Sequence, residues 1–131
     1  MVIDTDILID HFHNNRFATT FVEEALLAGQ ELLISVATVA EILAGMRPGE
    51  EKDTEALLSL FKICSADEPI ARTAGSYLKE YAASHKLDLG DALIAATAAH
   101  KGVGLATRNA SHYPMTDLQV IIPYERGRRE R

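Results

Sequence analysis

The chain has 131 residues, of which 47% are hydrophobic, and a formal net charge of −6, which suits one domain around a single core. No apolar stretch approaches a membrane span, and the start Met1-Val2-Ile3-Asp4 lacks the basic and long apolar regions of a signal peptide. One cysteine, Cys64, excludes an internal disulfide and suits a reducing cytoplasm, while the negative charge argues against broad electrostatic capture of nucleic acid.

Short apolar strand patterns alternate with longer helical ones. Residues 1–3 predict a first strand, and Ile7, Leu8 and Phe12 a short helical turn after it. Phe17, Phe21, Val22, Ala25 and Leu26 recur at helical spacing up to about Gly29. Residues 31–35 predict a second strand. Residues 38–46 predict a helix, broken by Arg47-Pro48-Gly49. Residues 50–62 carry Leu57, Leu58, Leu60 and Phe61 and read as an amphipathic helix, with a brief strand at 63–65. A helix over 68–85 has Pro69 near its first turn. Another over 88–100 is rich in Ala and Leu, and Gly102 ends it. Residues 103–107 and 120–122 predict the last strands. The alternation implies an α/β fold with a mostly parallel sheet flanked by helices. Residues 1–125 are expected to form one domain. The basic residues 126–131 read either as a solvated, flexible tail or as a phosphate- or partner-contacting arm.

Three acids stand against this background. Asp4 ends the apolar start, Glu41 lies inside a helix of small and apolar residues, and Asp91 opens the run Asp91-Ala92-Leu93-Ile94-Ala95-Ala96. A carboxylate drawn into apolar surroundings is costly unless it is compensated, and no Lys or Arg lies near any of the three in sequence. A divalent cation would compensate them, since Mg²⁺ takes carboxylate oxygens and keeps several waters. In a parallel sheet the site lies beyond the carboxyl ends of the strands. Asp4 and Thr107 both fall at that edge.

Each acid also has a purely structural use. Asp4 suits the N-cap of the following turn. Asp6 either adds charge beside Asp4 or answers the helix dipole. Glu41 is either a helix residue pointing to solvent or a ligand; Ala37, Thr38, Ala44 and Gly45, one turn either side of it, leave room for a ligand rather than a charged partner. Asp88 suits the cap of the helix that Asp91 begins. The polar loop Thr107-Arg108-Asn109-Ala110-Ser111-His112-Tyr113 can orient a water or a ligand carboxylate, or it is an ordinary loop. His112 lacks zinc-like spacing to any other histidine.

The segments Val2-Ile3-Asp4-Thr5-Asp6-Ile7-Leu8-Ile9-Asp10, Ser35-Val36-Ala37-Thr38-Val39-Ala40-Glu41-Ile42, Gly90-Asp91-Ala92-Leu93-Ile94-Ala95-Ala96-Thr97-Ala98 and Leu105-Ala106-Thr107-Arg108-Asn109-Ala110-Ser111-His112-Tyr113 together resemble the PIN-domain ribonucleases. More narrowly, they resemble the VapC toxins of bacterial and archaeal toxin–antitoxin pairs. The resemblance implies a PIN-like, Rossmann-like three-layer fold and an acidic pocket holding Mg²⁺ or Mn²⁺. It implies metal-dependent hydrolysis of single-stranded or looped RNA by water, and it assigns the metal-binding and catalytic roles to Asp4, Glu41 and Asp91. Asp6, Thr107, Asn109 and His112 are expected to support them. A cognate VapB-type antitoxin covering the cleft and a homodimer are implied as partners, the apolar faces of the helices over 50–62 and 68–85 serving either the dimer or the core. The sequence departs from the pattern twice: Asp6 stands where Asn is usual, and Asn109 or His112 stands where a fourth acid is usual. Two competing readings are a non-catalytic PIN-fold binding module and a structure-specific DNA nuclease.

Overall fold

The structure, a computed structural model, describes residues 1–124; the tail expected at 126–131 lies outside them. The elements are β1 (Val2–Ile3), α1 (Thr5–Phe12), α2 (Arg16–Leu27), β2 (Leu33–Ser35), α3 (Val36–Ala44), α4 (Glu51–Leu58), β3 (Lys62–Cys64), α5 (Glu68–His85), α6 (Leu89–Lys101), β4 (Leu105–Ala106), a short 3-10 turn (Ala110–His112) and β5 (Val120–Ile121). The strands form one five-stranded sheet in the order β3-β2-β1-β4-β5, and every pairing is parallel.

Side chains alternate across a strand, and the alternation builds two cores. Val2, Leu33 and Leu105 face α5 and α6, packing with Ile70, Ala74, Tyr77, Ala92, Ala95 and Tyr113. Ile3, Ile34 and Ala106 face the other way, onto Ile7, Leu8, Val22, Leu57 and Phe61 of α1, α2, α4 and the turn after α4. The result is three layers with β1 in the middle, its two residues fully buried. The apolar residues of α4 and α5 are thus spent on the core.

Of the boundaries that differ from the sequence expectation, two have a clear physical cause. Helix α3 starts at Val36 rather than 38, because Ser35 ends β2 and caps the helix at once, its Oγ accepting from the Ala37 N–H at 3.0 Å. Strand and helix therefore join without a loop, which fixes the direction in which α3 carries Glu41. Helix α4 stops at Leu58 rather than 62, because Lys62, Ile63 and Cys64 pair with β2. Tertiary pairing outweighs the helical pattern of Leu60 and Phe61 there. At the other end of the fold, Asp88 and Asp91 cap α6 reciprocally and Gly102, in the left-handed conformation, ends it.

Ser35 is fully buried, so Ser35→Ala removes a cap with no water to replace it. We expect a loss of about 1 kcal/mol in urea unfolding, with the fold retained.

Candidate active site

Asp4 leaves the carboxyl end of β1 and is 5% exposed. Its backbone N–H bonds to the Ala106 carbonyl at 2.9 Å, so the strand pairing itself places it beside Thr107. Asp4 Oδ1 accepts from the Thr5 N–H at 2.8 Å. Its Oδ2 accepts from the Thr107 hydroxyl at 2.7 Å and the Tyr113 hydroxyl at 2.9 Å. Asp4 is also the N-cap of α1, so its structural and chemical readings hold together.

Two hydroxyl groups tie the other acids to it. Thr5 donates to Glu41 Oε1 at 2.8 Å and in turn accepts from the Thr38 hydroxyl at 2.9 Å. Glu41 itself is exposed, the one acid of the three on the solvent side. Its carboxylate leans over Gly90: a Cβ there would lie 3.0 Å from Glu41 Oε2 and 3.3 Å from its Cδ. Asp91 sits in the first turn of α6, half-buried, with Oδ1 3.1 Å from the Tyr113 hydroxyl. Its Oδ2 has two longer contacts, to the Asp88 N–H and to His112 Nδ1, both at 3.4 Å.

Asp6 lies beside this group in the first turn of α1. Its Oδ2 accepts from Asn109 Nδ2 at 2.9 Å and from the Arg108 N–H at 3.3 Å. Its Oδ1 is buried and has no hydrogen-bond partner among the described residues. Arg108 Nε stands 3.7 Å from Asp6 and 3.4 Å from Asp10, and Asp10 also accepts from the Tyr124 hydroxyl at 2.7 Å.

Comparison with known proteins gives the family of the chain. The family described as "PIN domain" matches residues 1–116. The chain belongs to the PIN-domain family. This PIN domain is 40% identical over 116 residues to "Ribonuclease VapC10" of Mycobacterium tuberculosis, covering 88% of the chain and 86% of that protein. It is 38% identical over 120 residues to "Ribonuclease VapC19" of the same species, covering 90% and 96%. Among solved structures, "Toxin-antitoxin complex from Klebsiella pneumoniae" aligns with a TM-score of 0.75 and 34% identity, over 95% of this chain and 98% of that one.

The electrostatics of this PIN domain are those of an under-compensated acidic cluster. Burial, first, holds the carboxyl groups of Asp4, Asp91 and Glu41 above the ordinary carboxylate range. Repulsion from Asp88 and Asp4 adds to the rise at Asp91 and Glu41, whereas the Thr107, Tyr113 and Thr5 bonds oppose it at Asp4. Asp6 is pushed up to about 7 by burial and by Asp4, with Arg108 only partly offsetting this. Asp4 and Asp91 are bridged by the neutral Tyr113 hydroxyl, so the bridge itself adds no positive charge between them.

Among the described residues, no three acidic, histidine or cysteine side chains are already gathered into a ready-made metal cage. Mg²⁺ does not need one, because it uses one or two carboxylates and retains water. An all-oxygen donor set, mutual repulsion among the acids and the partnerless Asp6 Oδ1 fit a hard divalent cation. Tyr113 was missed as a site residue in the sequence, where it only closes the polar loop that begins at Thr107. Gly90 was missed too, because only the fold shows that Glu41 needs the space beside it.

Carboxyls with raised native pKa values make the native state bind more protons than the unfolded chain, so stability falls as pH climbs from ordinary carboxylate values through about 7. In EDTA, Tm should therefore fall between pH 5 and pH 7.5 from this cluster, and Mn²⁺ should raise Tm more at pH 7.5 than at pH 5. Asp6→Asn should stabilise the protein in EDTA at pH 7.5, by on the order of 1 kcal/mol or several degrees. It should also flatten the pH dependence. A Tm that climbs from pH 5 to 7.5 in EDTA contradicts this.

Proposed function

We propose that this PIN domain is the toxin of a VapBC-type pair, an endoribonuclease that hydrolyses RNA phosphodiester bonds with Mg²⁺ or Mn²⁺ bound at Asp4, Asp91 and Glu41. One observation carries the reading. At the carboxyl edge of the parallel sheet, Thr5 and Tyr113 link these acids into one cluster whose negative charge is held by neutral donors.

The reaction adds water across the bond: the water oxygen bonds to phosphorus, the bridging P–O bond breaks, and the leaving oxygen takes a proton. A divalent cation held by these carboxylates supplies charge stabilisation to the phosphate and a lowered pKa to a nearby water. The chain's own residues set the stage. Thr107 and the Thr5 N–H fix Asp4, and Thr5 fixes one oxygen of Glu41. Glu41 Oε2 has no hydrogen-bond donor among the described residues and Glu41 is exposed, which supports it as the group that orients the attacking water and accepts its proton. Asn109 and Arg108 hold Asp6 beside Asp4, which supports Asp6 as the partial replacement for the absent fourth acid. His112 reaches Asp91 instead of adding a carboxylate.

The antitoxin has a matching surface. A cleft of about 220 Å³ lined by Ile9, Phe12, Ile42, Met46 and Leu57 opens beside Glu41, with Arg47 and Glu50 at its edge. An apolar segment of the antitoxin fits this cleft, with a guanidinium reaching the acids. The apolar faces of α4 and α5 are spent on the core. A homodimer is therefore left with exposed residues such as Val36 and Leu43, which share one face of α3. No helix among the described residues is long and apolar enough to cross a membrane, and a cytoplasmic site of action is part of this proposal.

Asp4→Asn and Asp91→Asn should fold and should lose cation-dependent cleavage of single-stranded RNA by at least the roughly 100-fold that loss of a supporting partner costs a metal site. Full activity in both sinks the assignment. Wild-type protein that cleaves matched DNA but not RNA favours the DNA-nuclease reading, and RNA binding without cleavage favours a binding module. Gly90→Ala should keep or slightly raise Tm, since Ala favours helix by about 1 kcal/mol. It should nevertheless cut activity about tenfold, roughly 1.4 kcal/mol, because its Cβ displaces Glu41.

A further inference from the structure

We infer that Tyr113 is a positioning residue for cation binding, setting the place of Asp91 relative to Asp4 through a hydroxyl shared between them. The inference rests on the reading that the cation binds at these acids.

The two carboxylates come from independent elements, Asp4 from the end of β1 and Asp91 from the first turn of α6. Nothing in the strand pairing or the helix fixes the distance between their tips. Tyr113 does. Its ring is 3% exposed and packed in the core between the sheet and α6. Its backbone N–H is pinned to the Ala110 carbonyl at 3.0 Å. A buried aromatic ring has few rotamers, so its hydroxyl is presented at one point, 2.9 Å from Asp4 Oδ2 and 3.1 Å from Asp91 Oδ1.

The two acids depend on that hydroxyl unequally. Asp4 keeps close bonds to the Thr5 N–H at 2.8 Å and the Thr107 hydroxyl at 2.7 Å without it. Among the described residues Asp91 is left with the 3.4 Å contacts from the Asp88 N–H and His112, beyond the usual hydrogen-bond range of 2.7–3.2 Å. Losing the phenol oxygen therefore releases Asp91, which repulsion from Asp4 and Asp88 then drives away. The hydroxyl is neutral, so it orders the pair without cancelling the charge that a cation needs. A Lys or Arg at the same point would cancel it. The Tyr113 contact uses Asp4 Oδ2 and Asp91 Oδ1, so it does not engage Asp4 Oδ1 or Asp91 Oδ2, the latter held by 3.4 Å contacts.

The test is Mn²⁺ binding followed by the EPR signal of free Mn²⁺, without RNA. Tyr113→Phe keeps the ring and should bind Mn²⁺ about tenfold more weakly than wild type, with Tm within a few degrees. In cleavage assays the half-saturating Mn²⁺ concentration should rise by the same factor. The RNA KM and the kcat at saturating Mn²⁺ should stay near wild type, a split that a general loss of structure does not produce. An unchanged Kd, or a kcat lowered equally at every Mn²⁺ concentration, overturns the role. Wild-type protein that binds Mn²⁺ through Asp4, with Tyr113→Phe binding equally well, overturns Tyr113 alone; wild-type protein that binds no Mn²⁺ overturns the site reading as well. If the variant does not fold, ¹³Cζ-tyrosine NMR of wild type carries the test. Mg²⁺ should shift one resonance among the four tyrosines, and no shift overturns the inference.

Discussion

The structure turns on a carboxylate buried at the end of its central strand. Asp4 follows β1, the middle strand of five, and is 5% exposed, so bulk water does little to solvate its side chain. An ionised carboxylate there is costly unless hydrogen bonds satisfy it. Three donors do so, from Thr5, Thr107 and Tyr113, and each comes from a different stretch of chain or a different atom type. These bonds compensate the lost water, yet none carries a positive charge. The fold thus solves the desolvation of Asp4 while leaving its charge to act on its surroundings.

The remaining acids extend that arrangement outward. Asp91 is half-buried and Glu41 exposed, so the cluster grades from a fixed inner oxygen pair to a solvent-facing one. That gradation suits a division of labour, with the inner carboxylates binding and the outer one meeting water. Arg108 is set to one side: its Nε contacts are with Asp6 and Asp10 at 3.7 and 3.4 Å. Its partial compensation of Asp6 keeps that region from repelling Asp4 more strongly. Glu41's tether works through Thr5, whose backbone N–H and side chain serve two acids at once. Thr5 is buried, so a change at this one residue disturbs both.

Much of this was legible in the residues. The alternation of short apolar runs with helical patterns gave strand and helix positions because the inner strands β1, β2 and β4 are buried on both faces, and the three acids stood out as breaks in that pattern. What was hidden depended on contacts between distant parts of the chain. Sequence showed no Lys or Arg near the acids and inferred that compensation came from elsewhere. It had no means of showing that the compensation was hydroxyl groups, since Thr107 and Tyr113 reach Asp4 across the sheet from the far end of the chain. Asp91 read mainly as a site residue and Asp88 as its cap, whereas the structure makes both members of one capping box. Glu41 was expected in apolar surroundings; it lies instead on the solvent side, and its small neighbours make room for Gly90 and α6. The end of α4 was misplaced for a similar reason, since pairing with β2 is invisible to helical periodicity.

The choice of neutral donors has a consequence for control. Had a Lys or Arg of this chain neutralised Asp4 and Asp91, a cation would have to displace it, and the site would be closed to both metal and partner. With hydroxyl donors the negative potential persists, and whatever positive group arrives first can use it: a divalent ion bringing phosphate, or a guanidinium from a bound protein. A cation admits the polyanionic substrate, because it reverses the local sign; a guanidinium seated on the same oxygens occupies the place a phosphate needs. The two outcomes compete for one set of lone pairs, so whatever holds Asp91 to Asp4 shapes both of them. The apolar cleft beside Glu41 favours a protein ligand over a free ion by adding buried area to the same charge. On the proposed function, inhibition by such a partner would use the same acids that bind the cation.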